Sequence, residues 1–301
     1  MKIVITGSNG FVGSNLLNYL KGKLNDIVTI NLRNTNWKSE IDLNSLAIIH
    51  LAGMAHDLKN NTNSEEYFKI NTQLTQELFD VFLESSCRDF IYFSSVKAVT
   101  DNTDSIVSEV TICNPKTAYG QSKLKAEEYL LSKQLTTDKR IIIIRPTMIY
   151  GPKNKGNLNL LYKLVCLGLP WPLGVYKNRR SFCSIENLCF VINKILENDK
   201  ISSGIYNVAD DESISTNELI QLIANSINKK PRIIFIPKKI IFIIAKIGDI
   251  LRLPLNTERL NKLTENFMVS NAKIKTALKI ESFPVSTKEG IIKTIKFIHN
   301  N

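Results

Sequence analysis

The chain has 301 residues, 44% of them hydrophobic, enough to bury a full core as one large domain or two unequal ones. Its formal charge is +11, but the cations are spread along the chain with no cluster interleaved with stacking aromatics, which argues against a nucleic-acid partner. The five cysteines, Cys87, Cys113, Cys166, Cys183 and Cys189, form no CxxC pair, which points to reduced thiols in the cytoplasm rather than a disulfide framework or a metal site.

The first residues read directly as a strand, Lys2–Thr6, with no charged and apolar leader before it, so no signal peptide is expected. The turn that follows, Thr6-Gly7-Ser8-Asn9-Gly10-Phe11-Val12-Gly13, leads into an amphipathic helix over Ser14–Lys23. Glycines at this spacing permit a tight turn and close approach of a pyrophosphate to the backbone, with the unpaired N–H groups of the helix start holding it. The motif predicts a dinucleotide site built from Gly7, Asn9, Gly10, Phe11, Val12 and Gly13.

A second strand is expected over Ile27–Asn31. Its end is where an acidic residue would hold the adenosine ribose, and here it reads Ile30-Asn31-Leu32-Arg33-Asn34. Asn31 can bond a ribose hydroxyl and Arg33 can pair with a 2′-phosphate, which tilts the coenzyme from NAD towards NADP. Asp42 and Leu43, in the short segment before the third strand, are candidates to line an adenine pocket.

Ala47–Leu51 is the third strand, Ser64–Glu84 a helix, Phe90–Ser94 the fourth strand, Ala118–Lys133 a helix and Arg140–Arg145 the fifth strand. Alternation of this kind predicts an α/β fold with a doubly wound, Rossmann-type parallel sheet. After Gly151-Pro152 the pattern loosens into a loop-rich stretch with Pro170, Pro172 and Gly174. A helix over Glu186–Leu196 and a strand over Ile205–Val208 follow, the strand returning to the sheet. From Glu212 onward the chain reads as mostly helical, with a short RIIFIP strand at 232–237. The expected division is a dinucleotide-binding domain over 1–155, rejoined by about 183–211, and a smaller, mostly helical substrate-binding lid from 156–182 and 212–301. The apolar stretch 233–251 is interrupted by Pro237, Lys238, Lys239, Lys246 and Asp249, so no run reaches the ~20 residues that span a bilayer. It reads as a helix packed on the core with its lysines in water; a helix lying on a membrane surface is the alternative.

Tyr119-Gly120-Gln121-Ser122-Lys123 places Tyr and Lys four apart, on one face of a helix. Tyr19 and Lys23 meet the same spacing inside the first helix, so spacing alone decides nothing. Position separates the two: Tyr119 follows a strand ending in a serine pair and precedes Arg145-Pro146 on the next strand.

Together these residues resemble the extended short-chain dehydrogenase/reductase family, in its NAD-dependent nucleotide-sugar epimerase/dehydratase branch of UDP-glucose 4-epimerase-like proteins. The resemblance runs through Gly7/Gly10/Gly13, His50-Leu51-Ala52-Gly53, Asn71, Phe93-Ser94-Ser95, Tyr119/Lys123, Arg145-Pro146 with Tyr150-Gly151-Pro152, Arg180-Ser181-Phe182 and Glu186-Asn187-Leu188. It implies that Tyr119 moves the hydroxyl proton, that Lys123 binds the nicotinamide ribose, and that Ser95, with Ser94 as the fallback, bonds the reacting oxygen. It also implies that Leu51, Ala52, Gly53, Asn71 and Pro146 line the coenzyme site. On the substrate side it points to Arg180 and Phe182, with Asn157 and Arg259 as lid contacts. A free tyrosine, with a pKa near 10, is a poor base; a neighbouring ammonium and a cationic nicotinamide would favour phenolate.

Where dehydratases carry an Asp-Glu pair this chain has Val96-Lys97, which argues against water elimination. His50 is read as a structural residue. Three activities share such a site: a UDP-sugar 4-epimerase, an NADPH-dependent UDP-4-keto-sugar reductase of surface polysaccharide biosynthesis, and a catalytically silent ligand-binding protein. The expected partner is a UDP-sugar, and a homodimer is common in the family.

Overall fold

The computed structural model describes residues 2–23, 26–54, 64–154, 157–251, 253 and 255–300, the side chain of Asn157 excepted. Its strands are β1 (Lys2–Thr6), β2 (Asp26–Ile30), β3 (Ala47–His50), β4 (Asp89–Phe93), β5 (Arg140–Pro146), β6 (Met148–Tyr150), β7 (Phe182–Ser184) and β8 (Gly204–Val208). Its helices are α1 (Phe11–Leu20), α2 (Trp37–Glu40), α3 (Ser64–Tyr67), α4 (Leu74–Glu84), α5 (Ala118–Ser132) and α6 (Asn157–Cys166). They continue with α7 (Ile185–Glu197), α8 (Thr216–Ser226), α9 (Lys238–Leu251), α10 (Thr257–Thr264), α11 (Ala272–Leu278) and α12 (Thr287–His299).

β3, β4 and β5 are buried at every residue, as interior strands of a parallel sheet covered on both faces should be. Side chains alternate between two cores. Ile3, Ile5, Ile49, Ile91 and Ile144 face one side with α1 and α7, while Val4, Ile48, Phe90, Tyr92 and Ile143 face the other with α4 and α5. The sheet order is β2-β1-β3-β4-β5-β8, all parallel. The chain leaves β1 in one direction to β2 and returns on the other side to β3. That reversal opens a crevice at the carboxyl ends of β1 and β3, where open α/β sheets bind ligands.

Three elements differ from the sequence reading. The helix expected over Ser64–Glu84 is broken into α3, a π-helical stretch over Phe68–Gln73, and α4. The wide turn buries Asn71 and Thr72 against α5, where Thr72 donates to the Ser122 carbonyl at 2.8 Å. RIIFIP forms no strand, only single bridges of Ile233 to Trp171 and Phe235 to Leu173. Within the stretch expected to be loops, residues 157–166 form α6 and Phe182–Ser184 pairs with Met148–Tyr150 as a separate two-stranded sheet. A third core of Tyr150, Trp171, Phe182, Ile223, Ile241 and Ile291 joins that small sheet to the C-terminal helices.

Candidate active site

The glycine turn sits at the crevice. Gly7 has φ +72, and a Cβ there would lie 2.5 Å from the Ala52 nitrogen. A Cβ on Gly13 would lie 2.3 Å from the Gly7 carbonyl oxygen. Both glycines are therefore needed to close the turn against β3 and α1. Gly10 differs: it is exposed, caps α1 with extended backbone, and a Cβ would meet only the Gly7 oxygen, at 3.3 Å. α1 has no side-chain cap and no acidic residue in its first turn, so its first N–H groups, with Phe11 and Val12 beside Gly10, suit a diphosphate. Asn9 is exposed on the same turn, and Leu51, Ala52 and Gly53 leave β3 directly against it, Leu51 and Ala52 donating to Thr6. The turn fits a dinucleotide.

At the end of β2, Asn31 and Arg33 are exposed, and the Arg33 N–H donates to the Asn31 carboxamide oxygen at 3.2 Å. Asp42 and Leu43 do not join them. The Asp42 carboxylate pairs with Lys2 Nζ at 2.5 Å, and the Leu43 carbonyl accepts from Ser86. Lys2 opens β1 and Gly7 follows its end, so these two residues lie at the opposite edge of the sheet from the glycine turn. An adenine-lining role for them is corrected by that placement.

α5 begins beside the crevice because its N-terminus is capped twice. Thr117 Oγ1 accepts from the Gly120 N–H, and Asp101 accepts from Lys116 N, Thr117 N and Thr117 Oγ1 at 2.6, 3.1 and 2.9 Å. Tyr119 falls in the first turn and Lys123 one turn on. Lys123 is buried, donates to the Phe93 carbonyl at the end of β4 at 2.7 Å, and lies 4.8 Å over the Tyr92 ring. A Cβ on Gly53 would sit 3.1 Å from Lys123 Nζ and 3.0 Å from the Asn71 oxygen, so the ammonium is packed between the ends of β3 and β4. Burial lowers Lys123 to about 8, with Glu127 one turn further opposing.

Tyr119 is half-buried, edge-on to Tyr67 at 6.2 Å. Burial raises its phenol above 10, and a hydrogen bond with the Ser95 side chain pulls it back. The Lys123 ammonium is directed at the Phe93 carbonyl. Ser95 thus joins Tyr119, and its hydroxyl also accepts from Lys97 N at 3.2 Å. Among the described residues, Ser94 Oγ is buried with no hydrogen-bond partner.

A polar chain holds these groups. Asn71 accepts from Met54 N at 2.8 Å and donates to Met54 O and Ser122 Oγ at 3.0 Å each. Thr75 donates to the Asn71 carbonyl at 2.8 Å, and His50 bridges Thr75 and Thr6 at 2.9 and 2.7 Å. With the Thr75 proton committed to Asn71, His50 carries its proton on Nε2 and accepts from Thr6 on Nδ1. Its burial lowers its pKa to about 3, so it is neutral and structural, as expected. Behind Lys123, Glu127 accepts from Arg145 Nε at 2.9 and 3.1 Å and also pairs with its Nη2, both side chains being buried. Arg145 was placed by its motif, but its partner Glu127 carries no local signal.

Across the crevice, Pro146 ends β5 beside Val208. Arg180 donates to the Lys262 carbonyl of α10 at 2.6 Å and faces Glu265 at 3.6 Å. Lys97, passed over in the sequence as a candidate, donates to the Asp101 carbonyl at 2.5 Å and lies 4.5 Å over Phe267. Its charge and that of Arg180 both act on Glu265. Phe182 is buried in the third core, its ring 6.2 Å from Tyr150, so it supports the wall more than it presents a free face. Arg259 is exposed on α10, and Asn157 opens α6 with its side chain outside the described residues.

Residues 3–209 match the NAD dependent epimerase/dehydratase family. A UDP-glucose 4-epimerase of Vibrio cholerae is 32% identical over 249 residues, 75% of this chain and 76% of that protein. An N-acetyl-alpha-D-glucosaminyl-diphospho-ditrans,octacis-undecaprenol 4-epimerase of Escherichia coli O157:H7 is 25% identical, covering 99% of this chain and 96% of that one. The solved structure of MoeE5 in complex with UDP-glucuronic acid and NAD superposes with a TM-score of 0.78 at 18% identity, over 100% of this chain and 99% of that one, which bears on the fold. The chain belongs to the NAD dependent epimerase/dehydratase family. It is a nicotinamide-dependent enzyme built on the Rossmann sheet that its strand pattern predicts.

Proposed function

We propose that this enzyme carries out NAD(P)-dependent redox chemistry at C4 of a UDP-sugar in the cytoplasm, as a nucleotide-sugar 4-epimerase. The observation that supports the reading is that Tyr119 and Lys123 lie one turn apart on α5, with Lys123 bonded to the Phe93 carbonyl just before Ser94 and Ser95. The relative from Vibrio cholerae, named a UDP-glucose 4-epimerase, supports the substrate class. Tyr119 takes the C4 hydroxyl proton and later returns one, and Ser95 bonds the same oxygen. Lys123 reaches the nicotinamide ribose, while Gly10 and the start of α1 hold the diphosphate. When bound, the coenzyme supplies the hydride acceptor and donor, and its cationic ring lowers the phenol that burial raises. Arg180, with Lys97 near it, meets the substrate diphosphate, and a homodimer fits this reading. The test is incubation with a panel of UDP-sugars, with and without NADPH, and identification of the products by NMR. A C4-epimerised product without added NADPH is expected; no product from any UDP-sugar contradicts the reading.

The second reading is an NADPH-dependent UDP-4-keto-sugar reductase, favoured by the end of β2, where Asn31 and Arg33 stand in place of an acidic ribose clamp. If Arg33 holds a 2′-phosphate, Arg33→Ala weakens NADP binding by about 1.5–3 kcal/mol, the scale of a charge-assisted hydrogen bond, and leaves NAD nearly unchanged. Calorimetry with both coenzymes reads this. Equal losses for the two return the coenzyme to NAD and the reaction to the epimerase.

A further inference from the structure

Helix α9 is apolar on both sides. Ile241, Ala245 and Gly248, one helical stripe, are buried, and a Cβ on Gly248 would fall 1.8 Å from the Leu255 carbonyl oxygen. On the opposite side Ile243, Ile247 and Ile250 are 57, 45 and 81% exposed. At 100° per residue, Lys239 and Lys246 border that outer stripe along one margin. Phe235, three residues before the helix, and Leu167 are also apolar and exposed, at 70 and 73%. The two segments are tied together by Trp171 donating to the Arg232 carbonyl and Ile234 to the Trp171 carbonyl, at 2.7 and 2.8 Å. Single surface isoleucines are ordinary, whereas an exposed isoleucine stripe along one side of a helix marks an interaction site.

The charge around this face chooses the partner. Residues 229–251 contain six cations, Lys229, Lys230, Arg232, Lys238, Lys239 and Lys246, against one acid, Asp249, whose carboxylate already accepts from Thr257. A second copy of the chain pairing through the same patch would oppose cation to cation. An anionic surface would not.

We infer that α9 and the adjoining 167–169 and 234–235 segments dock on an anionic bilayer surface. The isoleucine stripe lies among the upper acyl chains, and the lysines at its margin lie at the level of the headgroups. The helix has 14 residues, about 21 Å at 1.5 Å per residue, and among the described residues no helix is long and apolar enough to cross a membrane. It lies on the membrane and does not span it. Behind the docked face, α10 packs on α9, and its Lys262 carbonyl accepts from Arg180.

Flotation of the full-length protein with vesicles tests this. With phosphatidylglycerol-containing vesicles at low salt the protein is expected to float, at least about tenfold more than with pure phosphatidylcholine, and to be released by 1 M salt or by Lys239→Gln/Lys246→Gln. Ile243→Glu/Ile250→Glu changes only exposed positions; it is expected to abolish flotation while leaving the melting temperature and turnover of free UDP-sugars in place. Three results overturn the inference: no flotation of the wild type with anionic vesicles, equal flotation of the isoleucine variant, or self-association that the isoleucine variant abolishes without any vesicle binding.

Discussion

The six-stranded sheet and the C-terminal helices treat their apolar and polar groups in opposite ways. In the sheet, the isoleucines of β3 and β5 are fully covered by helices, and Thr6, His50, Thr75, Asn71 and Ser122 are joined in one hydrogen-bonded series that ends beside Lys123. Among the C-terminal helices, α9 turns isoleucines outward, and the Arg180 side chain is held by the Lys262 carbonyl and a partly exposed ion pair. A proton-transfer group must keep its geometry within fractions of an ångström, and the buried series provides that. In the proposed reading this surface admits a nucleotide sugar, and a less tightly held arginine suits that.

The contrast is broken most strongly at Tyr119. Tyr119→Phe keeps the ring against Tyr67 but removes the acid-base group, so turnover is expected to fall by about 10²–10⁴ with coenzyme and substrate affinity retained. Tyr19→Phe is the control: Lys23 lies 3.9 Å over the Tyr19 ring as a surface cation–π pair, and steady-state turnover should be unchanged. Equal behaviour of the two variants would refute the assignment.

The next effect is on stability. Glu127→Ala leaves Arg145 charged, buried and unpaired, which costs about 3–5 kcal/mol in denaturant unfolding. Glu265→Ala, in a partly buried pair at 3.6 Å whose arginine keeps the Lys262 carbonyl, should lose about 1 kcal/mol or less. A similar loss for both would mean that the two regions do not differ in how tightly they hold their charges.

A smaller effect depends on pH. His50 is lowered to about 3 when folded, against 6.5 for the unfolded chain, so the unfolded state alone gains a proton as pH falls below 6.5. Stability is therefore full above that pH and falls by about 2–3 kcal/mol by pH 4.5 from this residue. His50→Gln should be less stable at pH 7, with the gap to wild type closing towards pH 4.5. A constant gap would show that His50 does not titrate differently in the two states.

What could be read from sequence was what is local. The glycine turn lies within eight residues and the Tyr119/Lys123 pair within five, and each follows a strand whose apolar run is unmistakable. The sequence does not place Asp42, because an Asp-Leu pair does not reveal which end of a strand it adjoins; the structure closes it on Lys2. The helix break at Phe68–Gln73 follows from burying Asn71 and Thr72 against α5, a demand made some fifty residues later in the chain. Glu127 and Asp210 are non-local in the same sense. Asp210 accepts from Tyr150, Ser184 and Asn187, which gives the Glu186-Asn187-Leu188 motif its structural reason, and burial raises its carboxyl to about 6. Lys97, placed beside Arg180 only by the fold, has no sequence pattern of its own.

The central claim, hydride and proton transfer at C4 by groups on the sheet edge, is tested most directly with UDP-sugars carrying deuterium at C4. The account predicts a C4-epimerised product that keeps its deuterium at C4 in wild type, with formation slowed by about 10²–10⁴ in Tyr119→Phe. Loss of the label to water during turnover, or full activity in Tyr119→Phe, would contradict it.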